Sequence, residues 1–223
     1  GIAPYVSHST SFSPSAYTDE NGDRLAPSEG KQIETGLRYQ PVGTTDLYTL
    51  SLFRINQENL ATKQPQESFY RSIGEIESQG VELEAKAALS DAWEIIASAS
   101  RNDIKYTKDN DGRQGRPPAG ISPLTASMWV NYTVLGDTPL AGLGAGLGVR
   151  YARQSLGDYY EGAFSVPSYS VYDASLSYDL SRSPLKLKGV KLALNVQNLT
   201  DKTYVSQCTS DLDCYYGQGR TAV

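Results

Sequence analysis

Hydrophobic and polar residues alternate along much of the chain, most cleanly from Val190 to Gln197. Val190, Leu192, Leu194 and Val196 fall on one side, and Lys191, Ala193, Asn195 and Gln197 on the other. A period of two means an extended strand with one apolar and one polar face. The pattern recurs. Ile33, Thr35, Leu37 and Tyr39 share a face, and Val81, Leu83, Ala85, Ala87 and Leu89 oppose Glu82, Glu84 and Lys86. Trp93, Ile95, Ala97 and Ala99 alternate with Glu94, Ser98 and Ser100, and Leu124, Ala126, Met128, Val130, Tyr132 and Val134 oppose Thr125, Ser127, Asn131 and Thr133. Leu143, Ala145, Leu147, Val149 and Tyr151 alternate with Gly142, Gly144, Gly146, Gly148 and Arg150. Tyr172, Ala174, Leu176, Tyr178 and Leu180 face away from Asp173, Ser175, Ser177 and Asp179. With extended stretches at 3–13 and 47–56, and another strand opening after Gly217, the pattern predicts about ten strands.

The connections also alternate. Those after Ser13, Asn56, Arg101, Gln154 and Ser206 are mostly long and polar, with turn formers such as Asn21-Gly22, Lys63-Gln64-Pro65 and Pro117-Pro118. Those at Pro41, Ser90, Leu135 and Ser181 are short. A soluble sandwich packs its apolar face against a second sheet. An outer-membrane barrel turns that face to lipid and keeps the polar face in its lumen, with long loops outside and short turns in the periplasm. A sandwich has no reason to sort its connections this way. Most strands also reach the roughly 9–11 residues that cross a bilayer at a tilt. The fold class expected is therefore all-β, an antiparallel transmembrane β-barrel. Leu124, Met128, Leu143, Leu147, Leu176 and Leu194 are expected to face lipid.

Composition agrees. No run approaches the ~18 apolar residues of a membrane helix. A mean hydropathy of -0.42 does not exclude a barrel, in which only every second residue meets lipid. The 223 residues hold 16 Tyr, one Met and one His, which suits strands with interfacial girdles better than a helical core. A net charge of -5 gives no support to nucleic-acid binding. Cys208 and Cys214 lie close together in a polar segment and read as a small disulfide loop in an oxidising place, facing outward. Gly1 begins mid-pattern and Val223 ends as a strand opens, so residues 1–223 are expected to be a fragment.

Short motifs in this framework carry a family resemblance. They are Ser11-Phe12-Ser13-Pro14, Pro27 through Leu37, Gly74 through Glu84, Val166-Pro167-Ser168-Tyr169, Asn195 through Tyr204 and Tyr216 through Arg220. Each is weak alone, but their order and spacing cover nearly the whole chain. The sequence resembles the C-terminal part of the barrel of TonB-dependent outer-membrane siderophore receptors. The cysteine loop before Tyr215-Tyr216-Gly217 resembles the ferric-hydroxamate branch, the ferrichrome and ferrioxamine receptors. The resemblance implies a barrel of about 22 strands with a plugged lumen. The plug domain lies outside this sequence. It further implies a Gram-negative outer-membrane receptor for ferric siderophores, with the TonB–ExbB–ExbD complex as energy-coupling partner through the missing N-terminal region. Lipid and lipopolysaccharide are the surrounding partners. Cobalamin or a glycan as ligand, a passive or adhesive barrel, and an outer-membrane enzyme are the alternatives.

No enzyme is expected. His8 is the single histidine, among serines, with no sign of a convergent acid or oxyanion hole. Glycine at every second position from Gly142 to Gly148 is not a dinucleotide fingerprint and instead leaves room in the lumen for bulky neighbours or a plug. Asp109-Asn110-Asp111-Gly112 hints at calcium, but Pro118 stands near where a bidentate glutamate is needed, so a solvated turn is expected. No resident cofactor or metal is expected, because iron arrives as a ferric siderophore chelate, already ligated. Such a chelate needs aromatic walls and a few donors. The candidates are Tyr159, Tyr160 and Phe164 in one outer loop and Tyr215 and Tyr216 after the cysteine loop; interfacial girdle or loop packing is the competing role for each. For the loop cations Arg113 and Arg116, contact with lipopolysaccharide phosphates or an anionic ligand is one reading and solvent exposure the expected one.

Overall fold

The computed structural model describes residues 1–62, 68–72, 74–109, 112–160, 162–183 and 186–223. Among these, ten strands form one open antiparallel sheet. In chain order they are β1 (Ile2–Ser13), β2 (Ser28–Tyr39), β3 (Leu47–Glu58), β4 (Glu75–Ala88), β5 (Trp93–Lys108), β6 (Leu124–Thr133), β7 (Leu143–Ala152), β8 (Tyr169–Asp179), β9 (Lys191–Gln197) and β10 (Thr221–Ala222). Each pairs with its sequence neighbour, so the sheet is a simple meander. Three two-stranded ribbons decorate the long connections. No helix of the described residues is long and apolar enough to cross a membrane, which says nothing against crossing by strands. The Lys63-Gln64-Pro65 turn lies outside the described residues.

Register follows alternation. Leu37, Leu50, Leu83 and Ala99 stand side by side across four strands, as do Trp93, Tyr132, Ala145, Leu176 and Leu194 across five. A one-residue slip would turn every such side chain to the polar face. Leu124, Met128, Leu143, Leu147, Leu176 and Leu194 share that apolar face. Leu147 is 64% exposed and Met128 46%, so this face has no second sheet over it and a sandwich is excluded. An apolar band this open is the surface a bilayer covers. Tyr39 stacks on Tyr48, and Trp93 packs on Tyr132, at the end with the short turns. That is where interfacial aromatic rings sit.

The opposite face is polar and internally bonded. The Tyr5 hydroxyl donates to Glu34 Oε1 (2.6 Å) and lies 2.6 Å from Ser51 Oγ. Arg150 donates from Nε (2.7 Å) and Nη2 (2.9 Å) to the two oxygens of Asp173. Charges that would be prohibitive in lipid are at home on a lumen wall. The alternating glycines accommodate an aromatic there. A Cβ on Gly146 would approach the Trp129 ring to 2.5 Å, and Gly148 lies under the same ring.

The strands outrun expectation at one end. The stretch beyond Arg101 reads as loop, yet β5 runs on to Lys108, and β2 begins at Ser28. The apolar face of these extensions carries charge: Arg54 and Lys105 both pair with Glu77, and Lys31 pairs with Glu58. The exposed Lys31–Glu58 pair adds little stability, whereas Glu77 is buried beneath its two cations; together they mark where lipid contact has ended. Once a strand leaves the membrane its outward side need not be apolar, so the two-residue signal fades.

Candidate functional site

Several of the most buried residues lie on the side of the long connections. Val166, Val171 and Cys208 are each no more than 3% exposed. Here β6 starts opposite Arg101, so beyond that residue β5 pairs only with β4 and its other edge has no strand partner. The 115–123 segment takes that place. Asn102 N donates to Pro123 O (3.0 Å), Tyr106 N to Arg116 O (3.0 Å) and Gly115 N to Tyr106 O (2.8 Å). Gly120 N donates in turn to Leu156 O (2.9 Å), joining the 155–166 ribbon. A third ribbon, Val205–Ser210 with Asp213–Tyr216, contacts the second and carries the Cys208–Cys214 disulfide.

Arg113 is the centre of the first aromatic group. Its guanidinium carbon lies 5.1 Å from the Tyr106 ring centroid and 5.2 Å from that of Tyr159. A guanidinium between two aromatic faces gains cation–π attraction and fixes both rings. Its charge is held by Asp109, which accepts from Arg113 Nε (3.2 Å) and from the Arg113 amide (2.6 Å). The Arg113 side chain is 11% exposed, so the expectation of a solvated arginine is corrected: stacking and pairing remove it from water. The solvated-turn reading is corrected at Asp109 too, since its side chain is fully buried. Asn110 and Asp111 lie outside the described residues. Arg116 Nη1 reaches the Tyr159 carbonyl (3.5 Å).

The five aromatic candidates do not form one cluster of contacts. Tyr159 belongs to the Arg113 stack, and Tyr160 is half exposed beside it in the chain. Phe164 lies against Gly157, where any Cβ would collide with its ring. Tyr215 and Tyr216 stand on the disulfide ribbon, 51% and 75% exposed. Thr209 Oγ1 donates to Asp213 (2.6 Å), and this bond, with a second from Tyr215, holds the Asp213 carboxyl below its usual range. The same Asp213 bond pushes the Tyr215 hydroxyl up. Tyr215 therefore offers its ring more readily than its hydroxyl, while Tyr216 offers both.

Tyr106 and Asn198 are missing from the sequence-based candidates, among which Arg113 stands only as an exposed loop cation. Asn198 is 1% exposed with φ of 51°. Its amide nitrogen Nδ2 donates to Lys202 O (2.9 Å) and Gln218 O (3.0 Å), and its Oδ1 accepts from Lys202 N (2.9 Å). Its backbone N–H donates to Asp173 Oδ1 (2.9 Å), tying the last long connection to the Arg150–Asp173 pair. The signal was available, because Asn and Asp in a tight turn tolerate left-handed backbone and bond their own neighbours.

Replacing Cys208 and Cys214 by Ser is expected to lower stability by about 2 kcal/mol, through the freedom returned to a short loop of the unfolded chain. Denaturant unfolding of the parent protein with and without the bridge measures it. Non-reducing mass spectrometry of protein taken from the membrane checks that the bridge is present; two free thiols would refute it.

Residues 1–199 match the family described as TonB dependent receptor-like, beta-barrel. The chain is 43% identical over 223 residues to the ferrioxamine B receptor of Salmonella typhimurium, covering 100% of this chain and 31% of that protein. It is 39% identical over 224 residues to the ferrichrome outer membrane transporter/phage receptor of Escherichia coli K12, covering 100% of this chain and 29% of that protein. The solved siderophore receptor PiuA of Acinetobacter baumannii superposes with a TM-score of 0.78 at 26% identity, over 99% of this chain and 33% of that one. The chain thus spans about a third of the length of these relatives.

Proposed function

We propose, for a chain that belongs to the TonB-dependent receptor family of outer-membrane β-barrels, that its parent protein binds ferric siderophores of hydroxamate type and imports them. Residues 1–223 form the C-terminal part of the barrel, with a plug upstream closing the lumen. Energy arrives from the TonB–ExbB–ExbD complex through that upstream region. The protein is a transporter and not an enzyme, and it holds no resident cofactor. Lipid covers the apolar band, and lipopolysaccharide surrounds the outer rim.

The observation that carries this reading is likeness along the entire chain to receptors for two ferric chelates. The site geometry supports it. Tyr159, Tyr160, Phe164, Tyr215 and Tyr216 all stand on the side of the long connections, and all are at least 40% exposed. Flat, amphipathic rings suit a compact chelate whose metal is already saturated.

Replacing Tyr159 and Tyr160 together with Ala in the full-length receptor is expected to weaken binding by on the order of 1–3 kcal/mol. Equilibrium binding of ferrichrome and of ferrioxamine B measures it. Unchanged affinity in a folded barrel removes these residues from the site. Failure of the wild type to bind either chelate overturns the hydroxamate reading and returns cobalamin and glycans as ligands.

A further inference from the structure

A cavity of about 200 Å³ lies where the 115–123 segment bridges β5 and the 155–166 ribbon. Ile104, Pro118, Ile121 and Leu156 give it apolar walls, and Asn102 and Ser155 bring polar groups to its lining. Asn102 and Ile104 are on the lumen side of β5; Asp103, between them, is on the other side of the strand. Ser155 is 7% exposed, and its hydroxyl has no hydrogen bond among the described residues. Asn102 Oδ1 accepts from Ser78 Oγ (2.7 Å), which directs the amide toward a single role: Nδ2 remains as a donor with no acceptor among the described residues.

A buried hydroxyl without a partner costs about the desolvation of that group, so native structures rarely leave one unless something else meets it. The volume is below the roughly 300–1,000 Å³ of pockets that enclose a whole drug-sized ligand. It therefore holds one arm of a ligand whose body lies outside. Gln154, Ser165 and Asp103 complete the polar part of the lining, which holds an acidic residue and no cation, so the cavity disfavours an anion and suits an uncharged aliphatic segment carrying a carbonyl.

We propose that this cavity is a binding subsite for one aliphatic amide or hydroxamate arm of the transported chelate, with Ser155 and Asn102 donating to its carbonyl oxygen. The proposal rests on the receptor reading above. The test uses the full-length receptor, with ferrioxamine B as a linear chelate and ferrichrome as a cyclic one. Ile121→Trp fills the cavity, and Ser155→Ala removes the hydroxyl at nearly constant shape. Leu212→Trp adds the same bulk at the 93% exposed tip of the disulfide ribbon, away from the cavity lining. The expected result is an affinity loss of about tenfold for Ile121→Trp and about threefold for Ser155→Ala, for at least one chelate, with Leu212→Trp unchanged. If Ile121→Trp does not fold, Ser155→Ala decides alone. Folded variants that bind both chelates as the wild type does overturn the subsite while leaving the receptor reading intact, as does an equal loss in Leu212→Trp. A wild type that binds neither chelate overturns both.

Discussion

Asn198→Ala is expected to destabilise the outer loops of the parent barrel by on the order of 3–5 kcal/mol, more than any other single change in this segment. Three side-chain hydrogen bonds disappear together, leaving Lys202 N, Lys202 O and Gln218 O without their partner in a site that is 1% exposed for Asn198. Alanine also tolerates the left-handed backbone at 51° less well than asparagine does. Asn198→Asp keeps the acceptor for Lys202 N but loses both donors, and places a second carboxylate beside Asp173, so it should fall no closer to wild type than halfway. Asn198→Gly separates backbone from side chain: it removes the strain and keeps the hydrogen-bond loss. Denaturant unfolding of the detergent-refolded receptor, followed by limited proteolysis of the 199–220 segment, reads these effects. An alanine variant within about 0.5 kcal/mol of wild type would show that the network does not hold the segment.

Gly80→Ala is expected to cost roughly 2–4 kcal/mol or to block assembly. A Cβ on Gly80 would run into the carbonyl oxygen of Arg101 on the next strand and would lie 2.8 Å from the Phe53 ring. The ring can turn aside; the carbonyl is fixed in the ladder between β4 and β5. Phe53→Ala in the same background should therefore rescue only part of the loss. Gly144→Ala is the matched control, because the nearest atom is the Ser177 hydroxyl at 2.9 Å, which can rotate. Its expected effect is below about 1 kcal/mol. Heat-modifiable migration of the folded barrel and its unfolding midpoint compare the two. Equal effects at Gly80 and Gly144 would mean that loss of glycine flexibility, and not collision, governs both sites.

The contrast between these glycines shows where alternation is informative. Gly142 to Gly148 reads from sequence as space for a bulky neighbour, and Trp129 lies over Gly146 and Gly148. Gly80 sits in an equally regular strand, yet nothing in its neighbours announces Phe53, which lies on another strand. Period two survives wherever lipid demands an apolar side, so Leu83, Met128, Leu147 and Leu194 could be placed without a structure. Past Arg101 that demand ends. Tyr106 and Arg113 then look like members of a polar loop, although they stack with Tyr159 on the outer side. The aromatic candidates were legible as loop residues, but their separation into an Arg113 stack and a disulfide ribbon depends on long-range pairing. Tyr215 illustrates the limit: its hydroxyl is bonded to Asp213, a partner two residues away that only the ribbon's geometry brings round.

The strands fall into two lengths. β1 to β5 have 12, 12, 12, 14 and 16 residues, whereas β6 to β9 have 10, 10, 11 and 7. The same bilayer thus leaves a tall wall beside a low one, and the 115–123 segment, the 155–166 ribbon and the disulfide ribbon rest on the low side. Mutational tolerance differs across that step. On the tall side a change of register displaces whole rows of paired residues, so insertions there are poorly tolerated. On the low side a connection can lengthen, shorten or change composition while the strands below keep their spacing. The barrel therefore has a chassis that tolerates few insertions beside one sector whose connections can change without the membrane span having to be redesigned.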